Sequence, residues 1–179
     1  MKYLVVSDIH GNVHYANILE NIINIEKPNN IIILGDLYYH GPSNYSPFYD
    51  YQSVVDILNK YKDIIYCTRG NCDNDEDVKN SKFQLEDYII MFINGMKFYF
   101  THGNYNNIEY PPDTYYDVLV YGHLHTGFII DKDNKLYANP GSLSIPRGGT
   151  VNSYLIIDDN NLILKDLEGN VIKKVKYIV

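Results

Sequence analysis

The chain lacks tryptophan and contains only two cysteines and three methionines among its 179 residues. Two cysteines, Cys67 and Cys72, are too few for the disulfide framework of a small secreted protein, so we expect a reduced, cytoplasmic protein. No apolar run approaches the roughly 20 residues of a membrane span. The N-terminal apolar stretch ends at Val6, which is too short for a signal-peptide core, so we expect no association with a membrane.

Basic residues are also scarce in this sequence. Lys and Arg number 15 against 22 Asp and Glu, which gives a formal net charge of −7. Because non-specific affinity for DNA and RNA comes mainly from Lys and Arg contacts to phosphates, we expect no stable nucleic-acid complex. A hydrophobic fraction of 45% with 21% charged residues is typical of a globular protein. The length suits one domain, predicted to span residues 1–179.

The order of the apolar segments predicts an α/β protein. Short apolar runs predict three strands near the N-terminus, at residues 3–6, 31–34 and 64–68. Apolar residues at helical spacing between these runs predict two crossover helices, and this alternation indicates a parallel N-terminal half. After about residue 85, an Asn94-Gly95 turn and a series of short strands predict a mainly antiparallel C-terminal half. We therefore expect two packed, mixed sheets flanked by helices.

Polar residues that are able to bind metal follow the predicted strands at five places. These clusters are Asp8-x-His10, Gly35-Asp36, Gly70-Asn71-x-Asp73, Thr101-His102-Gly103 and Gly122-His123-x-His125. One Asp or Asn after a strand is commonly a turn former or a helix cap. Chance is a poor explanation for five such clusters that hold four of the six histidines. Because ligands bind beyond the carboxyl ends of parallel strands, we expect the clusters to converge on one site.

The residue types in these clusters select a class of metal. Imidazole, carboxylate and amide ligands without thiolate suit Mn, Fe, Co, Ni or Zn. Seven such side chains are too many for one tetrahedral ion and predict two divalent ions that share a bridging carboxylate. With Asp8, Asp36 and a bridging hydroxide, two divalent ions leave a local charge of about +1. Such a site would attract a phosphodiester in spite of the negative net charge.

Together, the five clusters resemble the signature of the metallophosphoesterase, or calcineurin-like, superfamily. Their order and spacing are similar to those of its smallest branch, the YfcE-like phosphodiesterases, and residues 35–42, 69–73 and 139–142 strengthen this narrower match. The resemblance implies a four-layer αββα sandwich with a dinuclear metal site at one edge. It also implies metal-dependent hydrolysis of a small phosphodiester by a metal-bound hydroxide, with Mn²⁺ or a similar ion as the cofactor.

The resemblance further implies a set of metal ligands, and it shows that the chain differs from many members of the superfamily at Cys72. One ion would be held by Asp8, His10, Asp36 and His125. The other would be held by Asp36, Asn71, His102 and His123, so that Asp36 bridges the two. Many members of the superfamily have a histidine that assists the leaving group where this chain has Cys72. Because a thiol with a pKa near 8.5 is a poorer acid than imidazole at neutral pH, we expect a narrower range of leaving groups.

Other residues have two interpretations each. Asn12 is a candidate for catalysis or for binding a phosphoryl oxygen, or it is a turn residue. Arg147 either presents a guanidinium fork to phosphate or is a surface charge. Cys72 is either a thiol beside the metals, with a catalytic role, or a small filler. The tyrosine-rich residues 38–51 and 105–116 have three interpretations: a wall of the substrate cleft, a stacking surface for a nucleobase, or a subunit interface. The last of these would make the protein a homo-oligomer.

An alternative function is a non-catalytic scaffold for protein interactions, because a retromer subunit shares the fold implied by the resemblance and uses it largely for protein contacts. The complete set of seven candidate ligands favours the hydrolase. Buried carboxylates and imidazoles are costly to the fold, and a scaffold has no need of them.

Overall fold

A computed structural model describes residues 1–39 and 46–177. Residues 40–42 of the 35–42 segment, and part of the tyrosine-rich 38–51 segment, lie outside the described residues. The helices described are α1 (Val13–Glu26), α2 (Tyr51–Asn59) and α3 (Asp75–Asn80). The strands described are β1 (Tyr3–Val6), β2 (Asn30–Ile33), β3 (Ile65–Thr68), β4 (Leu85–Glu86), β5 (Tyr88–Ile93), β6 (Met96–Thr101), β7 (Val118–Tyr121), β8 (Gly127–Lys132), β9 (Lys135–Pro140), β10 (Ser153–Ile157), β11 (Asn161–Asp166) and β12 (Val171–Lys176).

Two mixed sheets form the centre of the molecule, as the sequence predicts. The first sheet has the strand order β12-β11-β10-β1-β2-β3-β4, and the second has the order β5-β6-β7-β9-β8. Strands β1 to β4 pair in parallel. Strands β10, β11 and β12 extend the same sheet in antiparallel fashion from β1. The mixed α/β fold class is therefore confirmed.

The second sheet differs in part from the antiparallel pairing expected for the C-terminal half. Strands β5 and β6, and also β8 and β9, pair in antiparallel fashion. Strand β7, however, pairs in parallel with both β6 and β9. The reason is that residues 102–117 carry the chain from the end of β6 back to the start of β7, which makes the connection a crossover. Hydrophobic alternation alone does not distinguish a crossover from a long hairpin.

The layers that cover the outer faces of the two sheets are built differently. Helices α1 and α2 cover the outer face of the first sheet, and a second apolar core lies between the two sheets. In the described chain, residues 102–117 cover the outer face of the second sheet without forming a helix. Ile108 and Tyr116 from this segment pack against Leu119 of β7 and Tyr137 of β9. Asparagines and two consecutive prolines disfavour a helix there.

Capping residues define where the helices begin and end. The side chain of Asn12 accepts a hydrogen bond from the Tyr15 amide at 3.3 Å and begins α1. The helix ends at Lys27, which has a left-handed backbone just before Pro28. A capping box of Asn74 and Asp77 begins α3, which the sequence analysis did not predict. No helix within residues 1–39 and 46–177 is long and apolar enough to cross a membrane.

The topology brings the ends of five strands to one edge of the two sheets. Strands β1, β2 and β3 come from the first sheet, and β6 and β7 come from the second. Each of the five is followed directly by one of the five polar clusters. The packing of the sheets therefore places all five clusters at a common edge.

A buried carboxylate away from this edge ties α1 to the first sheet. The side chain of Glu26 is only 8% exposed, and it accepts hydrogen bonds from Tyr154 Oη at 2.9 Å and from Lys165 Nζ at 2.6 Å. Lys2 Nζ adds a third contact at 3.2 Å. Burial raises the pKa of Glu26, but the hydrogen bonds from Lys165, Tyr154 and Lys2 outweigh burial and lower this pKa below its ordinary value.

We predict that Glu26→Gln lowers the free energy of unfolding by about 1–2 kcal/mol at pH 7, because the charge-assisted hydrogen bonds are weakened. The pKa of Glu26 is lower in the folded than in the unfolded chain. Its contribution is therefore present above the unfolded value of about 4.3 and is lost as the pH falls through the folded value. Urea unfolding at pH 7 and at about pH 3 measures this difference, which should shrink at the lower pH. Glu168→Gln, at an exposed position, is the control and should have little effect at either pH.

Candidate metal centre

Most of the candidate ligands share an unusual backbone conformation. Five of the seven have a positive φ: Asp8 (57°), His10 (52°), Asp36 (54°), His123 (63°) and His125 (57°). L-residues other than glycine seldom adopt this left-handed region, and such residues cluster at functional sites. The conformation turns the chain sharply after each strand, so that the ligand side chains point back over the edge of the sheets.

Asp8, His10 and His125 form the first group of donor atoms. His125 Nε2 lies 3.2 Å from Asp8 Oδ1 and 3.2 Å from His10 Nε2. His10 Nε2 lies 3.8 Å from Asp8 Oδ1. Two ligands that are each about 2.1 Å from one ion lie about 3.0–3.4 Å apart. The spacing of this group is therefore close to that of a metal site.

Asn71, His102 and His123 form the second group. His102 Nε2 lies 3.0 Å from Asn71 Oδ1 and 3.2 Å from His123 Nδ1. Asp36 lies between the two groups, since its Oδ2 atom is 3.5 Å from His102 Nε2 and 3.9 Å from His10 Nε2. The structure thus brings all seven residues together, with one carboxylate in contact with both groups.

Backbone carbonyls orient two of the imidazoles. Nδ1 of His102 lies 2.6 Å from the Leu34 carbonyl oxygen, and Nδ1 of His125 lies 2.7 Å from the Ile145 carbonyl oxygen. A carbonyl only accepts hydrogen bonds, so Nδ1 carries the proton in each ring. In the neutral tautomer, Nε2 then presents its lone pair to the centre, which is the arrangement of a metal-binding histidine.

The donor set fits divalent cations. Asp8 Oδ1 is buried without a hydrogen-bond partner among the described residues, while Asp8 Oδ2 accepts from the His123 amide at 3.1 Å. A buried carboxylate oxygen that lacks a donor is costly to the fold, and a cation would satisfy it. Donor atoms of Asp8, His10 and His125, and likewise of Asp8, Asp36 and His102, lie close enough to share an ion.

The protonation of these groups is largely the one that metal binding requires. Burial raises the pKa of Asp8, but its interactions with His125 and His102 outweigh burial and lower this pKa. Burial lowers the pKa of both His10 and His123. His125 differs, because Asp8 overcomes burial and raises its pKa. Ionised carboxylates and neutral imidazoles are the forms that bind metal, so a metal would compete mainly with a proton on His125.

Asp73 holds two of the ligand loops together. Its Oδ2 atom accepts hydrogen bonds from the Asp36 and Gly70 amides, and its Oδ1 atom accepts one from Leu37, all at 2.8 Å. These bonds join the loop after β2 to the loop after β3. Burial is the main cause that raises the pKa of Asp73 to about 6. Asp73 belongs to one of the five clusters that were predicted to bind metal, whereas its carboxylate is directed at backbone amides.

Ser142 and Asn139 hold the other loops. Ser142 Oγ donates to the Asp8 carbonyl at 2.8 Å and accepts from the Ile145 amide at 2.8 Å. Asn139 Nδ2 donates to the Gly122 carbonyl at 2.7 Å. Residues 139–142 thus connect the loop after β1 to the loop after β7 and to the carbonyl that orients His125. Motif similarity could identify this segment, but sequence spacing alone could not show which backbone atoms it contacts.

A cavity of about 310 Å³ opens above the donor atoms. Its lining residues are His10, Asp36, Tyr39, Asn71, Cys72, His123, His125, Ile145 and Arg147. Arg147 and Cys72, for each of which the sequence left two interpretations open, therefore line this cavity. Burial, followed by the nearby charge of Asp36, raises the pKa of the Cys72 thiol to about 12. This thiol stays protonated at neutral pH.

Asn12 does not line this cavity. Its amide is used instead as the cap of α1 and in a 3.3 Å hydrogen bond to Ser46 Oγ. Among the described residues, the contacts of Asn12 are therefore those of a helix cap, and its role toward substrate stays a prediction.

We predict that Asp73→Asn lowers the affinity for Mn²⁺ by about 10–100-fold, because an amide nitrogen would face a backbone N–H donor and the two ligand loops would separate. Titration with Mn²⁺ measures the affinity, and urea unfolding reports any loss of stability. Asp75→Asn is the matched control, since Asp75 is exposed and its carboxylate pairs with the Arg69 side chain instead of with the backbone amides that join the two loops. Equal affinity in the Asp73 variant and the wild type would contradict this role of Asp73.

Comparison with known proteins agrees with this geometry. A family profile described as a calcineurin-like phosphoesterase superfamily domain matches residues 1–161. Phosphodiesterase YfcE of Escherichia coli K12 is 32% identical over 165 residues, which cover 90% of this chain and 90% of YfcE. The solved structure of YfcE, a phosphoesterase from E. coli, matches with a TM-score of 0.93 at 31% identity and covers 99% of this chain and 100% of that chain.

A more distant structure shares the fold alone. Vps29 of Chaetomium thermophilum matches with a TM-score of 0.67 at 18% identity and covers 99% of this chain and 98% of its own. The family profile, in contrast, spans most of the chain and includes every candidate metal ligand. The chain therefore belongs to the calcineurin-like phosphoesterase superfamily, as its polar clusters indicate.

Proposed function

We propose that this protein is a metal-dependent phosphodiesterase with a dinuclear centre, in which Asp8, His10, Asp36 and His125 hold one ion and Asp36, Asn71, His102 and His123 hold the other. The observation that carries the proposal is the position of Asp36 Oδ2 between the two groups of donor atoms. When bound, the two ions supply a hydroxide nucleophile at neutral pH and positive charge against the phosphoryl oxygens, and Mn²⁺ suits this mixed donor set.

The side chains of the chain itself prepare the cavity for an anion. Asp8 and Asp36 are the acidic groups among the seven ligands, so two divalent ions would leave the site positive. Arg147 lies at the rim and can donate to a phosphoryl oxygen of the substrate. Because the Cys72 thiol is a weak acid, departure of the alcohol depends on the stability of the alkoxide itself. This favours phosphodiesters with acidic leaving groups.

The proposed domain comprises residues 1–179, since β12 lies beyond the part matched by the family profile but pairs with β11 of the first sheet. Both cysteines are free thiols, in agreement with the cytoplasmic location expected from the sequence. The scaffold alternative has no comparable support. Without a metal, the buried Asp8 Oδ1 atom would face, among the described residues, only the ring nitrogens of His125 and His10, whereas a hydrolase that binds metal uses this atom as a ligand.

We expect Asp36→Asn to bind fewer ions and to lose at least about a thousandfold in kcat/KM, because the amide cannot supply the charge of a bridging carboxylate. Hydrolysis of bis(p-nitrophenyl) phosphate and elemental analysis of bound metal measure the two effects. Asp131→Asn, at an exposed position of β8, provides the control. Two bound ions and unchanged turnover in Asp36→Asn would refute the bridging role.

A second prediction concerns the leaving group. Cys72→His places an imidazole, with an ordinary pKa near 6.5, where the thiol has a pKa of about 12. We expect the ratio of kcat/KM for p-nitrophenyl phosphate to that for bis(p-nitrophenyl) phosphate to rise about tenfold or more. Cys72→Ser, which keeps a small and weakly acidic group, should leave this ratio nearly unchanged. An unchanged ratio in Cys72→His would mean that residue 72 does not face the leaving group.

A further inference from the structure

A second and larger cavity lies beside the metal cavity. Its volume is about 590 Å³, whereas the cavity above the donor atoms has a volume of about 310 Å³. Asn71 lines both cavities. Asn71 Oδ1 lies 3.0 Å from His102 Nε2, so one residue separates the second cavity from the proposed metal centre. A phosphodiester has two organic substituents. With its phosphorus over the metals, one substituent can extend past Asn71 into this cavity.

Aromatic rings line the second cavity. Tyr88 and Tyr99 stack with their ring centroids 5.0 Å apart and an interplanar angle of 13°. Tyr105 stands on the opposite loop with 82% of its surface exposed. That loop is folded onto itself, since Asn107 Nδ2 donates to the Gly103 carbonyl at 3.0 Å. An exposed ring on a supported loop is a stacking surface for a planar group.

The charges and amides of this cavity narrow the class of substituent. The Arg69 guanidinium already donates to the Asp73 carbonyl at 3.0 Å and to the Asp75 carboxylate at 2.9 Å. Asp87 adds a negative charge to the lining. These groups disfavour a second phosphate. The side-chain amides of Asn104 and Asn106 offer both donors and acceptors to an uncharged polar ring.

We propose that this cavity, which we call the tyrosine pocket, binds the nucleoside substituent of a phosphodiester, with the base stacked on Tyr105. The proposal rests on the proposed function for its phosphate position. It gives a role to Tyr105 of the tyrosine-rich 105–116 segment, and a volume of about 590 Å³ is in the range of pockets for ligands of this size. Stacking supplies affinity without selecting one base, so the pocket accepts several nucleosides.

Binding of adenosine 5′-monophosphate and of ribose 5-phosphate to the Mn²⁺-loaded protein tests this proposal by calorimetry, because the two probes differ only in the base. We expect the wild type to bind adenosine 5′-monophosphate about tenfold more tightly than ribose 5-phosphate. In Tyr105→Ala the preference should fall to about one, whereas Tyr105→Phe should retain it. Tyr110→Ala is the matched control, because Tyr110 is 69% exposed in the same segment but does not line the pocket.

Equal affinity of the wild type for the two probes, or an undiminished preference in Tyr105→Ala, would overturn the assignment of the pocket. Hydrolysis of methyl p-nitrophenyl phosphate, which has no base, tests the proposed function separately. A wild type that does not hydrolyse this ester would contradict the phosphodiesterase, while the comparison of the two probes would still decide whether the pocket holds a base.

Discussion

The carboxylate of Asp73 is the constraint on which the site depends most directly. Its three hydrogen bonds draw the backbone after β2 and the backbone after β3 together. The approach is so close that a Cβ atom on Gly70 would lie 2.1 Å from Asp36 Oδ1. Asp36 can reach both donor groups only because its loop is held in this position. A residue outside the proposed ligand set thus sets the distance between the proposed ligands, which is how supporting contacts commonly tune a metal centre.

The same arrangement is costly for the fold. Asp8 and Asp36 are both buried, and five ligands have a left-handed backbone that L-residues seldom adopt. Rigid neighbours hold this strain. The Asp8 amide donates to the Gly35 carbonyl at 3.1 Å, and the Asp8 carbonyl accepts from Ser142 and Ser144. Because the donor atoms are already in place, binding of a metal requires little rearrangement, and the bound ions would in turn stabilise the folded chain by linkage.

Some features of the fold and of the candidate site could be predicted from the sequence and others could not, for physical reasons. Apolar runs indicated β1, β2, β3 and the helices between them, because burial dictates their residue types. The direction of β7 relative to β6 could not be predicted, since it depends on the path of residues 102–117 and not on local pattern. The candidate ligands could be proposed from the sequence because metal chemistry selects Asp, His and Asn. The contacts of Asp73 with backbone amides could not be predicted, because the sequence does not distinguish a carboxylate that binds amides from one that binds a cation.

The non-helical cover of the second sheet also bears on function. A helix over the second sheet would present a regular face to Leu119 and Tyr137 and would leave little freedom in where its other side chains point. The irregular residues 102–117 still supply the apolar cover through Ile108 and Tyr116. Residues 104–106 of the segment line the tyrosine pocket together with Asn71, and Tyr105 is exposed there. Loops of this length that have no secondary structure are commonly functional, and here the loop begins at the ligand His102 itself. If the tyrosine pocket binds a substituent of the substrate as proposed, the connection that reverses the chain between β6 and β7 also serves to distinguish one phosphodiester from another.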